Sequence, residues 1–304
     1  MTFLFTVILP IMLVAGVATL AQFRLRLDAR VVSRLAFYLF SPALVFDSLS
    51  RSAVGGEEYA QIAATLLLTT AVLWVIGAVA ARLLRLAGPA RGSFLMAVLL
   101  MNAGNYGLPA TQFAFGEAGL ARAVLYFTVS ATLSATLGVY LAARGRASVW
   151  LALRRVAGVP LVYAAGLGLA VNLLDLTLPE PLFQAIHLLG QGAVPTFLAV
   201  MGIQLAQTFL MQRRTLHLPA LTVVTVGRLG LAPALALVIA WAWGLNSLSR
   251  NVVVLESAMP TAVMTTVLAT EFETDASFVT LSVFVTTIAS VLTVTVWLNL
   301  LTLL

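Results

Sequence analysis

The sequence of 304 residues contains no cysteine and no lysine, and it is poor in charge of either sign. Without cysteine the chain has no disulfide, no thiolate metal site and no thiol nucleophile. Its two histidines, His187 and His217, lie near predicted helix ends, which argues against a histidine metal site. Charged residues make up 9% of the chain, against about a quarter in a typical soluble domain. The composition therefore excludes an ordinary soluble fold.

Strong catalytic motifs are also missing from the sequence. There is no His-Glu-x-x-His, no Gly-x-Ser-x-Gly and no phosphate-binding loop. An intramembrane aspartyl protease needs two facing aspartates, and Asp47 is the only clear aspartate inside a predicted membrane segment. We therefore expect a protein that is not an enzyme, with no catalytic residue, no metal and no bound cofactor other than a coupling Na⁺ or H⁺.

The chain consists instead largely of long runs of apolar residues. Hydrophobic residues make up 61% of it, in runs too long for β-barrel strands, which need only about ten alternating residues. The fold class predicted is an all-α polytopic membrane protein. No basic region precedes the first run, so a membrane helix is favoured there over a cleaved signal peptide. Ten segments are predicted, at residues 3–22, 33–50, 58–81, 93–115, 119–141, 156–174, 184–208, 217–243, 251–270 and 276–301.

The arginines predict how these segments cross the membrane. The loops after segments 1, 3, 5 and 7 carry thirteen arginines, and the loops after segments 2, 4, 6 and 8 carry three. By the positive-inside rule the arginine-rich loops are cytoplasmic, and ten spans then place both termini outside. Because the arginines alternate between loops and form no patch, we expect no nucleic-acid partner. The thirteen are Arg24, Arg26, Arg30, Arg34, Arg82, Arg85, Arg91, Arg144, Arg146, Arg154, Arg155, Arg213 and Arg214.

The longest basic linker, residues 142–155, divides the chain into halves 1–141 and 156–304. Each half holds five segments, and because five is odd the second half must be inverted in the membrane. The fourth segment of each half is interrupted, at Met101 to Pro109 in the first half and around Pro260 in the second. Paired interruptions in inverted halves are typical of a transporter binding site. A glycine kink that lets two helices pack closely is the alternative.

The two interruptions supply the predicted substrate site. Gly104, Gly107 and Pro109 are expected to break the helix and to bring the amides of Asn102 and Asn105 to the gap. If the helices restart near Tyr106 and Thr261, free N–H groups at two helix N-termini would attract an anion. The residues predicted to bind substrate are Asn102, Gly104, Asn105, Tyr106, Pro260, Thr261 and Thr265.

Three charged residues lie within the predicted segments. Asp47, Arg228 and Glu256 would each cost about 2.5–3.5 kcal/mol at a helix centre, so each is a candidate for function. Glu256 precedes Pro260 by about one helical turn, where a carboxylate could bind Na⁺ or take up a proton. Asp47 is the second candidate for the coupling ion. Arg228 is expected to be structural, for example as the ion-pair partner of Glu256.

The motifs together resemble those of the auxin efflux carrier family. The matching stretches are Arg228-Leu-Gly-Leu-Ala-Pro, Glu256-Ser-Ala-Met-Pro-Thr-Ala and Asn102-Ala-Gly-Asn-Tyr-Gly-Leu-Pro. The resemblance implies a ten-helix inverted repeat, related to bile acid:sodium symporters and sodium/proton antiporters, in which helices 4 and 9 are broken and cross. It also implies a scaffold of helices 1, 2, 6 and 7, often dimeric, against which helices 3–5 and 8–10 move as an elevator.

Family substrates are organic anions, namely auxin in plants and malate or other carboxylates for bacterial members. The plant proteins have a proline where this chain has Ala103-Gly104, and a polar uncharged residue at Glu256, so neither auxin nor the plant coupling mode carries over. The short linker resembles the bacterial type. We expect a homodimeric, lipid-embedded carrier of a small carboxylate in a bacterial inner membrane. The alternatives are a Na⁺/H⁺ exchanger without organic substrate and a membrane sensor that does not transport.

Overall fold

The computed structural model describes residues 2–143, 149–210 and 217–304. In these ranges the chain is helical, and its only extended pairing is an isolated antiparallel bridge between Met101 and Thr261. The helices are α1 Leu4–Leu25, α2 Ala29–Ser50, α3 Gly56–Leu83, α4 Gly88–Leu99, α5 Ala103–Ala142, α6 Val149–Ala157, α7 Pro160–Leu173, α8 Glu180–Gln207, α9 Leu218–Ala242, α10 Ser247–Ser257, α11 Met264–Glu271 and α12 Ala276–Leu301.

Seven of the helices in the described ranges are long and apolar enough to cross a membrane, namely α1, α2, α3, α5, α8, α9 and α12. Their outward faces carry large apolar side chains such as Leu13, Val17 and Leu292, which are 60%, 67% and 69% exposed. A soluble protein rarely leaves so much contiguous apolar surface to water, whereas lipid tails cover it without cost. The predicted all-α membrane class is confirmed.

The longest helix, α5, is sharply bent. At about 1.5 Å per residue its forty residues would extend about 60 Å, twice the thickness of the bilayer core. The backbone leaves the helical region at Gly116, where φ is 63° and ψ is −160°, a conformation that glycine alone adopts readily. This bend falls at the turn predicted between the fourth and fifth segments.

The helices pack in two groups. In the first group α1 packs on α8, and α2 packs on both α7 and α8. In the second group α3 packs on α4, α5 and α9, α10 packs on α5 and α9, and α12 packs on α4 and α11. The groups meet where α1, α2, α7 and α8 contact α5, and where α1 and α8 also contact α12.

The predicted linker at residues 142–155 is only partly described. Arg144 and Arg146 lie outside the described residues, as do Arg213 and Arg214 of the later loop. Ala142 ends α5, and residues 149–155 begin α6, which extends past the predicted boundary to Ala157. Arg155 of α6 forms an ion pair with Glu271 at the end of α11, with 2.9 Å between Nη2 and Oε1.

Candidate functional site

Both predicted interruptions are present, at shifted positions. The first lies between the end of α4 at Leu99 and the start of α5 at Ala103, and the second between Ser257 of α10 and Met264 of α11. The first gap is therefore shorter than predicted, because residues 103–107 form a π-helical turn. The second is longer than the single proline at 260 suggested.

The two gaps cross as a minimal antiparallel pair. The Asn102 N–H donates to the Pro260 carbonyl at 2.8 Å, and the Ala262 N–H donates to the Leu100 carbonyl at 2.9 Å. The Thr261 hydroxyl donates to the Ala97 carbonyl at 2.8 Å. Backbone groups freed by each break are thus satisfied by the other break, as an environment without water requires.

The glycines near the first gap have a role other than the predicted one. Gly104 and Gly107 lie inside the π-helical turn and Pro109 at the start of the α-helix that follows it, so these residues weaken the α-helical pattern just after the interruption and do not form the gap itself. A Cβ at Gly104 would lie 2.6 Å from Cε2 of Phe127, and a Cβ at Gly107 would overlap the Glu256 carboxylate. These glycines therefore allow close packing, which was the alternative interpretation.

A cavity of about 640 Å³ reaches the crossing. Asn102, Gly104 and Asn105 line it from the first gap, and residues 262–264 line it from the second. The first turns of α5 and α11 thus border the cavity, and the N–H groups of a first turn have no acceptor within their own helix. The Nδ2 atom of Asn102 is buried without a hydrogen-bond partner among the described residues. The crossing therefore offers hydrogen-bond donors and positive helix ends to the cavity.

The cavity walls come from residues that were not predicted to bind substrate. Phe37 and Tyr38 of α2, Phe127 of α5 and Phe197 of α8 supply an aromatic lining. The rings of Phe127 and Phe197 meet edge to face, with centroids 5.8 Å apart. Arginines line the cavity away from the crossing, at Arg154 and Arg155. The space therefore has a polar end at the crossing, aromatic walls, and two arginines in its lining, of which Arg155 is paired with Glu271.

Arg228 is fully buried between the other two half-helix ends. Its Nη1 donates to the carbonyls of Val98 and Leu99 at 3.0 and 3.2 Å, and its Nη2 donates to the carbonyl of Ser257 at 2.7 Å. These carbonyls end α4 and α10, where the helix dipole is negative. One guanidinium thus caps the C-termini of both interrupted helices, while the N-termini of both restarted helices face the cavity.

Glu256 lies on the same side of the crossing as Arg228 but does not pair with it, so the predicted ion pair is wrong. Its carboxylate is fully buried, and Oε1 accepts a hydrogen bond from the Thr111 hydroxyl at 3.0 Å. Oε2 has no partner among the described residues. The carboxylate does not line the cavity, and it packs against Gly107 of α5.

Comparison with known proteins decides the family. The family model described as membrane transport protein matches residues 3–152 and 146–298. The chain belongs to this family. It is the family of the auxin efflux carriers, as the sequence motifs predicted. The members of this family are membrane transporters and not typical enzymes. Together with the seven apolar helices, the family shows that this chain is an integral, multi-pass membrane protein.

Two archaeal relatives cover nearly the whole of this transporter. An uncharacterized transporter of Methanothermobacter thermautotrophicus is 30% identical over 278 residues, which are 89% of this chain and 88% of that protein. An uncharacterized transporter of Methanocaldococcus jannaschii is 24% identical over 276 residues, or 88% of each chain.

Four of the residues predicted to bind substrate lie outside the cavity lining of this transporter. Tyr106, Thr261 and Thr265 are fully buried, and they support the crossing instead. Thr265 donates to the Ala262 carbonyl, and the Thr261 N–H donates to Thr286 Oγ1 at 3.1 Å. Pro260 contributes its carbonyl to the bridge with Asn102. Only Asn102, Gly104 and Asn105 of the predicted set reach the cavity.

Asp47, the second residue predicted for ion coupling, lies away from the crossing of this transporter. Its Oδ2 is 2.8 Å from Nδ1 of His187, and its Oδ1 is 3.2 Å from Nη2 of Arg51. Arg51 in turn lies 3.5 Å above the ring of Phe183. The carboxylate therefore joins α2 to α8, and the structure gives it no contact with the cavity.

Proposed function

We propose that this protein is a secondary active transporter of a small organic anion, of the carboxylate class, in a bacterial inner membrane. The observation that carries the proposal is the cavity that ends at two helix N-termini and the unpaired amide of Asn102. Helix N-termini bind anions, because unsatisfied N–H groups and the positive end of the dipole point the same way. A carboxylate at this position would accept the hydrogen bonds that the crossing leaves unused.

The rest of the cavity supports an anion with an apolar body. Its volume of about 640 Å³ lies in the range of small-molecule pockets. Phe37, Phe127 and Phe197 provide surface for apolar groups. Arg154 and Arg155 at the opening would draw anions towards the cavity through long-range attraction.

The proposed architecture has ten spans in two inverted halves, residues 1–141 and 156–304, joined by the linker 142–155. The bend at Gly116 supports it, because α4 with the first part of α5 then makes one interrupted span and the rest of α5 makes the next. The helices α10 and α11 make the interrupted span of the second half. With this count the arginine distribution places both termini outside and Arg154 on the cytoplasmic side.

Transport would follow an elevator mechanism. The cavity lies between the two helix groups, with Phe37, Tyr38 and Phe197 of the first group opposite the crossing in the second. The first group, α1, α2, α7 and α8, would be the fixed scaffold and the contact surface of a homodimer. The second group would carry the crossing and the bound anion across the membrane.

Cysteine labelling tests the orientation of the cavity, since the chain has no cysteine of its own. Ser134 lines the cavity, and Gly55 is exposed in the loop that the arginine rule places outside. We expect a membrane-impermeant maleimide to label Ser134→Cys in inside-out vesicles and Gly55→Cys only in right-side-out vesicles. Labelling of Ser134→Cys from the Gly55 side alone would contradict a cavity that opens on the cytoplasmic side with Arg154.

Ligand binding tests the site. Succinate, malate, benzoate and phenylacetate are compared for their effect on the melting temperature of the purified protein. A ligand at a hundred times its Kd adds about 2.7 kcal/mol of stability. We expect at least one of these carboxylates to stabilise the wild type. Asn102→Ala and Asn105→Ala are each expected to weaken its binding about 10- to 100-fold, since a hydrogen bond to a charged group contributes about 1.5–3 kcal/mol.

The control for these variants is Asn299→Ala. The Asn299 amide bonds the Thr295 carbonyl within α12, far along the chain from the gaps. The Asn299→Ala variant is expected to bind the carboxylate with wild-type affinity. If both Asn102→Ala and Asn105→Ala bind as tightly as the wild type, the site is misassigned.

A Na⁺/H⁺ exchanger is the second candidate, and the buried carboxylate of Glu256 favours it. In an exchanger the carboxylate is the whole site and no organic anion binds. Thermal stabilisation by Na⁺ or by pH alone, with no response to any carboxylate, would select this candidate.

A further inference from the structure

Glu256 is a charged side chain at the crossing that does not line the cavity. We propose that Glu256 carries a proton that binds together with the transported anion, and that Na⁺ does not bind at this carboxylate. The inference rests on the proposed anion transport and names its coupling ion. The space around the carboxylate and the charged residues near it support this assignment.

The space around Glu256 suits a proton and not a metal cation. A Cβ built at Gly107 would overlap the carboxylate, so the carboxylate is packed directly on the α5 backbone. The Thr111 hydroxyl is its one hydrogen-bond partner in the described part of the chain. A hard cation needs several oxygen ligands around it, whereas a proton needs one carboxylate oxygen. Among the described residues, no group of three or more His, Asp or Glu side chains comes together there.

Two titratable side chains, Arg228 and Tyr126, are bonded to Ser257, the residue that follows Glu256. Arg228 is held by the carbonyls of α4 and α10 rather than by a carboxylate, and its guanidinium stays charged. Tyr126 of α5 shares a hydrogen bond of 2.8 Å with Ser257, the neighbour of Glu256. With Glu256 ionised, the charges of Arg228 and Glu256 cancel. With Glu256 protonated, one positive charge remains at the crossing.

The other charged groups packed against α10 are already paired. Arg122 of α5 lies 2.9 Å from the Glu58 carboxylate of α3, and both contact Ser249 in the first turn of α10. Asn246 also donates to Glu58, at 2.8 Å. This network lies at the first turn of α10, at the other end of the helix from Glu256. The charge at the crossing therefore changes only with Glu256.

Protonation and anion binding should consequently favour each other. A proton on Glu256 makes the potential at the crossing more positive, which strengthens the attraction for a carboxylate in the cavity. By linkage the bound anion favours the protonated state of Glu256 by the same factor. A monocarboxylate and one proton then cross together as an electrically neutral pair.

The test is the pH dependence of anion affinity. Benzoate and its permanently ionised analogue benzenesulfonate are titrated onto the purified wild type and Glu256→Gln between pH 5.5 and 8.5, in NaCl and in N-methyl-D-glucamine chloride. We expect wild-type affinity to fall about 5- to 150-fold as pH rises, the usual range for coupled sites. Glu256→Gln, which mimics the protonated acid, is expected to bind at every pH as the wild type does at low pH. Removal of Na⁺ is expected to change neither protein.

Two further variants complete the test. Glu117→Gln alters an exposed carboxylate beside the α5 bend and is expected to keep the wild-type pH profile. Thr111→Val removes the hydroxyl bonded to Glu256 and is expected to move the pH at which affinity falls. It serves in place of Glu256→Gln if that variant does not fold.

The outcomes separate the inference from the proposed function. A wild-type pH profile in Glu256→Gln, or a Na⁺ requirement in the wild type, would overturn the proton assignment while anion transport stands. If neither these probes nor any carboxylate of the panel binds the wild type at any pH, the proposed function fails first.

Discussion

Replacing Arg228 with methionine is expected to lower the melting temperature of the purified transporter by about 6–20 °C. The change removes the donors to Val98, Leu99 and Ser257 and leaves the buried ends of α4 and α10 without a cation. Removing one partner from a buried charged contact costs about 3–5 kcal/mol. Each kcal/mol corresponds to about 2–4 °C in a protein of this size class. Thermal melting in detergent measures the effect.

Two further variants serve as comparisons for Arg228→Met. Arg228→Lys keeps the charge but loses the forked geometry that reaches both helix ends, so an intermediate loss is expected. Arg51→Met removes another arginine whose side chain is 52% exposed in its pair with Asp47, and exposed pairs contribute about 0–1 kcal/mol. If Arg228→Met melts with the wild type, the guanidinium does not hold the crossing together.

Gly107→Ala is expected to lower the melting temperature by about 2–12 °C. A Cβ at this position would overlap the fully buried Glu256 carboxylate, so the carboxylate or the π-helical turn must shift. Inserting a methyl group into a packed core costs about 1–3 kcal/mol. The displaced carboxylate should also lose its contact with Thr111, so the pH dependence of anion binding should change in the same variant.

The matched control is Gly230→Ala. Gly230 lies in another π-helical turn, Gly227–Leu231, and a Cβ there would meet no atom within 4 Å. Alanine is the better helix former by about 1 kcal/mol, so this variant should melt at or slightly above the wild-type temperature. Equal effects of the two substitutions would show that helix propensity, and not contact with Glu256, decides the result.

The fold class and the two interruptions were predictable from sequence because each has a local cause. Apolar runs longer than a strand needs gave the helical membrane class. Pro260 has no backbone N–H to donate within a helix. Asn102 and Pro260 both lie within long apolar segments, and this position predicted the two interruptions. The positions of the gaps shifted because the π-helical turn at residues 103–107 accommodates Gly104 and Gly107 within the helix.

The partners of the charged residues could not be predicted, because they come from distant parts of the chain. Arg228 is bonded to backbone carbonyls, which every residue has and which leave no mark in the sequence. Asp47 pairs with His187 across α2 and α8. The aromatic walls of the cavity at Phe37, Phe127 and Phe197 likewise come together only in the fold. The sequence predicted that Asn102 and Asn105 lie at the first interruption, whereas the residues around them are brought there by tertiary packing.

Counterflow in proteoliposomes tests most directly whether the cavity at the crossing is a transport site. Vesicles loaded with an unlabelled carboxylate that stabilises the protein are diluted into the same carboxylate in labelled form, which requires no knowledge of the coupling ion. The wild type and Asn299→Ala should accumulate label above empty vesicles, and Asn105→Ala should not. A wild type that binds the carboxylate in thermal melts but accumulates no label would contradict transport and identify the protein as a sensor.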